Sequence, residues 1–335
     1  MKTKSEKIIL ILFLSLICPL YAIATVYDIG EAARLIAQGL SAKLKSNLNE
    51  VTIGKLTLVN TQISSEFAGN FKVYLESEMK RIDDFQSVKT MKTMRTRGFS
   101  FDEEDDEDSQ ESQNKKSETL NAILNGNYRL VGDSVFVSAY LLDEKGKKLS
   151  EFEVEIEKSA IPWPVVPGNY YQVKKTESQI NQLSVSKEDF MIELQINKGD
   201  GGVYRNGEEL LVYFRTTTDC YLKVLYIDVD QNRILMYPTA RDNENEILRS
   251  GREYNLHANN KFTIQPPFGS ESIRAFCTTE KLASDKEINL GGGFKGYDTN
   301  TSTAEVVGSL RGLGVSSQTG DLKKSETVVY ITTMP

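Results

Sequence analysis

Histidine is almost missing from this chain: 335 residues contain one, His257. That scarcity excludes a histidine pair for zinc and leaves a Ser-His-Asp relay only this residue to use. His257 sits in YNLHANNK, a polar, turn-like context that reads as an exposed loop. Cysteine is nearly as scarce, with Cys18, Cys220 and Cys277, which excludes a disulfide-built scaffold. Positive charge is in deficit: 40 Lys and Arg against 47 Asp and Glu give a net charge of -7. Nothing there favours nucleic acid or an anionic membrane surface. Beyond the first 24 residues no apolar run is long enough to span a bilayer. There is no G-x-S-x-G elbow and no Walker loop.

What is present begins with an export signal. Lys2, Lys4 and Lys7 precede an apolar run from Ile8 to Cys18 broken only by Ser15, and Ala22-Ile23-Ala24 forms a small-x-small step before Thr25. This reads as a signal peptide over residues 1–24, cleaved after Ala24. Lipidation of Cys18 is the alternative, but Ile17 stands where a small residue is usual and Pro19 follows. The mature chain is expected to be exported, periplasmic or outer-membrane-associated, and its length suggests two domains.

Residues 28–48 carry Ile29, Ala33, Ile36, Leu40 and Leu44 at helical spacing. VTIGKLTLV (51–59) is a β-branched run suited to a buried strand. Ser64 or Ser65 can cap a second helix whose stripe is Phe67, Phe71, Tyr74, Leu75, Met79 and Ile82. A short strand is expected over Phe85–Val88 and a helical turn over Thr119–Leu124. Three strands then follow, joined by turns at Gly132-Asp133 and Glu144-Lys145-Gly146. Between them lies FDEEDDEDSQESQNKK (101–116), with unbroken acidic residues from Asp102 to Asp108. Such a run cannot bury a core and repels itself open, so it reads as a disordered, solvated insertion, with cation or partner binding as the alternative.

Helix, strand, helix, strand and an antiparallel meander describe a layered α/β domain over residues 25–160. The segments VTIGKLTLV…SSEFAGNFKVYLESEMKRIDDFQSV and LNGNYRLVGDSVFVSAYLLDEKGKKLSEFEVEI resemble the N-terminal domains of the flagellar outer-membrane protein FlgO, of TolB and of the curli secretion protein CsgG. The resemblance is one of fold. It implies an assembly or pore-associated envelope protein rather than an enzyme, with flagellar or secretion components as partners.

IPWPVVPGNYY (161–171) concentrates proline, the sole tryptophan and two adjacent tyrosines. Proline stiffens an extended path, so residues 161–187 read as a Pro-rich linker. Trp163, Tyr170 and Tyr171 are candidate ligand or partner contacts, with Arg205 and Arg215 as further candidates; the plainer role for Trp163 is to pin the linker to a domain surface.

Strand signals recur from Phe190 onward, and residues 188–335 read as a mostly β, sandwich-like domain. Leu210, Val212 and Phe214 share one apolar face, while YLKVLYI is apolar on both, as a central strand would be. DVDQNR after it resembles a calcium loop. Counted from Asp228, however, the sixth position is Arg233 where glycine is required, and the twelfth is Thr239 where a bidentate Glu is required. It reads as a hairpin. The stretch from VYRNGEELLVYF to GSESIRAF closely resembles a bacterial domain family of unknown function, through Tyr221–Asp228, Met236–Pro238, Gly251–Tyr254 and Pro267–Ile273. That resemblance implies an accessory module and no catalytic residues.

Cys220 and Cys277 fall on strands of this domain, where a disulfide and two buried thiols are both open. A thiol nucleophile lacks an adjacent histidine. Gly291–Gly296 satisfies G-x-G-x-x-G literally, but a polar lead-in and a helix delayed to about 302–313 make it a flexible loop rather than a dinucleotide site. The expectation is therefore α+β overall, with no enzyme activity, cofactor or metal. The chain would be an exported envelope scaffold or accessory factor. A periplasmic small-ligand or glycan binder is the alternative, and a hydrolase would need two close carboxylates in one pocket.

Overall fold

The computed structural model describes residues 25–26, 28–90, 121–183, 189–243, 245–256, 261–282, 286–312 and 322–335. The expected signal peptide over residues 1–24, Cys18, the acidic run and His257 lie outside the described residues.

The chain opens with β1 (Thr25–Val26), α1 (Ile29–Ser41), β2 (Glu50–Leu58), α2 (Glu66–Met79) and β3 (Val88–Thr90), followed by β4 (Asn121–Val131), β5 (Ser134–Asp143) and β6 (Lys148–Glu157). They make a six-stranded sheet in the order β1-β6-β5-β4-β2-β3. The β4–β6 meander is antiparallel, whereas β2 lies parallel to both β3 and β4. The second helix is capped by one of the two serines that the sequence offered, and the first by an aspartate not singled out there. Asp28 caps α1 through the Glu31 N–H at 2.8 Å, and Ser65 caps α2 through the Ala68 N–H at 3.3 Å. The buried stripes Ile29, Ala32, Ala33, Ile36, Ala37, Leu40 and Phe67, Phe71, Leu75, Met79 press both helices onto the sheet. Gly39 permits the close approach of α1 to β6, because a Cβ there would lie 2.1 Å from the Phe152 ring.

Two local expectations fail. Residues from Asn121 are strand and not a helical turn: β4 runs parallel to β2 with Val51 opposite Ala122, and this pairing overrides local preference. The edge strand starts at Val88, while Phe85 only bridges Leu48.

The expected linker is more than a linker. Its Pro-rich first part lies along the first domain, where Pro164 accepts from the Phe67 N–H at 3.2 Å. Its polar second part is a helix, α3 (Tyr170–Asn181), burying Val173 and Ile180. With only two buried apolar positions, seven residues apart, the helical period is hard to see in the sequence.

The second domain comprises β7 (Ile192–Ile196), β8 (Gly202–Arg205), β9 (Glu209–Leu210), β10 (Val212–Thr216), β11 (Tyr221–Ile227), β12 (Arg233–Tyr237), β13 (Tyr254–Asn255), β14 (Phe262–Thr263), β15 (Ser270–Thr278), β16 (Glu287–Gly291), β17 (Phe294–Tyr297), α4 (Thr303–Leu310) and β18 (Lys324–Met334). A seven-stranded sheet, β16-β17-β12-β11-β15-β18-β8, faces a three-stranded sheet, β13-β10-β7. Their shared core includes Leu194, Phe214, Val224, Ile273 and Ile331. The opposite face of the large sheet is covered by α3 and α4 through Ile180, Leu225, Phe276, Val306 and Leu310. The fold is thus α+β, with a mostly β second domain whose sandwich carries a helical third layer. The Gly291–Gly293 stretch is the turn of the β16–β17 hairpin, all three glycines at positive φ. A hairpin there, with no helix opening directly from it, has no dinucleotide-loop geometry.

Edge strand β8 meets α2 where Gly69 lies against Val203; a Cβ on Gly69 would come within 2.7 Å. Lys55 pairs with Asp200 at 3.2 Å, and Arg205 donates to Asn70 at 3.0 Å across the same boundary. No helix among the described residues is long and apolar enough to cross a membrane.

Candidate functional site

The aromatic residues singled out from the linker do not form one site. Trp163 is half-buried against the first domain's core, its ring 6.1 Å from that of Tyr74. Tyr170 pairs with Tyr171 at 5.3 Å, and Tyr171 is 82% exposed. Among the described residues Trp163 makes no ring pair with either. Arg205 is engaged with Asn70 at the domain boundary, and Arg215 lies opposite Glu193 within the smaller sheet.

Cys220, just before β11, and Cys277 on β15 are joined by a disulfide with Cα atoms 5.7 Å apart. The bridge is buried in the sandwich core, so neither sulfur is available as a nucleophile.

The chemistry gathers around β15. Its sequence, SESIRAFCT, is buried at every position because the strand is internal and both faces are covered. Two ionisable residues are thereby buried on opposite faces. Arg274 points under the helices and Glu271 points toward the sandwich side.

Glu271 is 3% exposed and belongs to the wall of a cleft of about 500 Å3. The cleft lies between the large sheet and the small β9–β14 pair, with apolar surface from Leu210, Ile234, Met236, Phe262 and Phe294. The Tyr226 hydroxyl donates to Glu271 Oε2 at 2.6 Å, and Thr333 Oγ1 lies 3.4 Å from Oε1. No lysine or arginine among the described residues pairs with this carboxyl. Burial, with Asp228 nearby, therefore raises its pKa to about 7 against the pull of the Tyr226 and Thr333 hydroxyls. Burial and Glu271 push the Tyr226 hydroxyl upward in turn.

Asp228 also lines the cleft, so one pocket does hold two carboxylates. Both Asp228 oxygens are already used: Asn232 donates to them from its backbone and its side-chain amide, each at 2.7 Å. These bonds close the β11–β12 turn, where Gln231 has φ 64°. The aspartate that resembled the start of a calcium loop is a turn residue at the rim. Among the described residues no group of three or more His, Cys, Asp or Glu is placed to hold a metal.

The raised carboxyl couples stability to pH. The folded state holds the Glu271 proton more tightly than the unfolded chain, whose ordinary value is 4.5. Its contribution to stability is full below that value and is lost as pH rises through about 7. Glu271→Gln keeps an acceptor for Tyr226 without the charge. Denaturant unfolding should find this variant about 2–3 kcal/mol more stable than the parent at about pH 8 and nearly equal at about pH 4.5.

On the other face, Arg274 donates to Glu177 of α3 and to Glu326 of β18, the latter at 3.1 Å, and Arg311 reaches Glu326 at 2.6 Å. Burial opposes the Arg274 charge, but Glu177, Tyr330 and Glu326 more than offset it, so its pKa is raised. This network ties α3 and the end of α4 to the sheet. It borders a second cavity of about 350 Å3 that reaches Gln62 of the first domain.

Sequence reasoning located the strand carrying Glu271 and quoted its neighbours as family pattern, yet assigned it no role. The available signal was Tyr226, Asp228, Met236, Pro267 and Glu271, five residues of that pattern drawn from separate segments, which the fold gathers around one cleft. No curated protein and no solved structure matches the chain. Residues 203–281 match the model of a family described as a domain of unknown function (DUF4384), a span that includes the disulfide and most of the cleft's walls but less than half of the chain.

Proposed function

We propose that this chain is a non-enzymatic, exported envelope protein that holds a ligand or partner in the Glu271 cleft. The observation that carries this reading is a buried carboxyl without a cationic partner, set in an apolar cleft large enough for a small molecule or a side chain. Export is supported by the leader-like N-terminus and by a disulfide, which persists in oxidising compartments. Binding is favoured over hydrolysis because the Asp228 oxygens are committed to a turn and a general base needs a free one.

Scaffolding in a flagellar or secretion apparatus is the second reading. It is favoured by the first domain's resemblance to FlgO, TolB and CsgG and by the contacts that join the two domains. In-cell crosslinking, purification and mass spectrometry test both, with the wild type beside Ile234→Trp, which fills the cleft. Envelope proteins captured by the wild type and lost from the variant support the cleft as the binding surface. Equal capture by both places the partner elsewhere and favours the scaffold. Recovery of the protein alone from the wild type removes assembly. The mature N-terminus is expected at Thr25, and any other start overturns cleavage after Ala24.

A further inference from the structure

We infer that the Glu271 cleft selects a primary ammonium group carried on an apolar body. The inference rests on reading the cleft as a binding site, and it adds the class of ligand.

Three observations lead there. The first is charge without a partner. The other strongly buried ionisable side chain of β15, Arg274, sits among two carboxylates, whereas only hydroxyl groups hydrogen-bond to Glu271 and the nearby charge, Asp228, has the same sign. A buried carboxylate is costly unless a cation or several donors reach it. Tyr226 supplies one donor, and the single Thr333 hydroxyl proton is shared between Glu271 and the Gly269 carbonyl, leaving acceptor capacity on both oxygens. An ammonium group brings a full positive charge and three donors, and so matches what is missing.

The second observation is the shape and polarity of the path. Ile234, Met236, Phe262 and Phe294 line the space above Glu271. A hydrated inorganic cation would lose its water against these walls and find a single carboxylate in return. An alkylammonium keeps its apolar part on apolar wall and its charge on Glu271.

The third observation concerns the mouth. Lys261 is exposed there. Its positive charge on the cleft's wall disfavours a second cationic group on the ligand. Asp228 is the other charged wall residue; its oxygens are turned to Asn232, so it adds negative potential without competing for the ligand's donors.

The test is calorimetric titration of the full mature chain with octylamine, octanol and 1,8-diaminooctane, beside Glu271→Gln and Ile234→Trp. Octylamine is expected to bind at least about tenfold more tightly than octanol at about pH 8, and the diamine more weakly than octylamine. Glu271→Gln should cut octylamine affinity about tenfold and leave octanol unchanged. Lowering the pH from about 8 to about 6 should weaken octylamine by a similar factor as Glu271 takes up its proton. A peptide bearing one lysine between leucines, titrated in parallel, tells a free amine from a partner's lysine as the source, and tight binding of either supports the proposal.

Equal binding of octylamine and octanol, unaffected by Glu271→Gln, overturns the ammonium while leaving a cleft that binds apolar ligands. No heat from any probe, in wild type or variants, overturns the ligand class and the small-molecule cleft together. Thermal melts separate lost binding from lost folding: at about pH 8 Ile234→Trp is expected within a few degrees of the parent and Glu271→Gln above it.

Discussion

Replacing Arg274 with alanine should lower the stability of the second domain by about 3–5 kcal/mol, among the largest effects of any single substitution here. The side chain is 3% exposed and joins three elements: its own strand, α3 through Glu177 and β18 through Glu326. Its removal leaves Glu177 facing a cavity without its cation, and Glu326 with only Arg311. Breaking one member of a buried network costs more than the pair contributes, because the partner's charge stays desolvated. Urea unfolding should show the loss. A double variant, Arg274→Met with Glu177→Gln, should recover much of it by removing the stranded carboxylate while Glu326 keeps Arg311. If the single and double variants unfold alike, the cost lies in lost packing and not in charge.

Removing the disulfide should cost a comparable amount. Cys220 and Cys277 are 57 residues apart in sequence, and closing a loop of that length restricts the unfolded chain by roughly 4 kcal/mol. The bridge fastens the start of β11 to the end of β15, two neighbours at the centre of the large sheet. Unfolding of the Cys220→Ala/Cys277→Ala variant should have a midpoint well below the parent's. A reductant should bring the parent down to nearly the same midpoint and leave the variant unmoved. A parent whose midpoint equals the variant's with and without reductant would show that the thiols are not bridged in solution.

Much of the first domain was legible because its signals are local. The stripes of α1 and α2 repeat at helical spacing, Ser65 stands at the cap of α2, and the meander alternates between tight turns. The misreadings came where pairing partners decide. Asn121 onward becomes strand because β2 lies beside it, and α3 hides in a polar stretch because Val173 and Ile180 are its only buried residues. The site was legible as text and not as a site. Tyr226 reads as a central-strand residue, Asp228 as a turn residue and Glu271 as one polar residue in a strand; none is unusual where it stands.

By itself the sequence determined the α+β class, the order of most elements, the β11–β12 hairpin and that no pair of histidines is available to hold a metal. Each of these follows from periodicity, turn chemistry or composition within a few residues. The tertiary structure alone decided that β15 is covered on both faces, that Glu271 and Arg274 are buried on opposite sides of it, and that only Arg274 meets opposite charge. Burial and charge pairing depend on which distant segments arrive beside a strand, here α3 on one face and the β9–β14 pair on the other. No window along the chain contains that information.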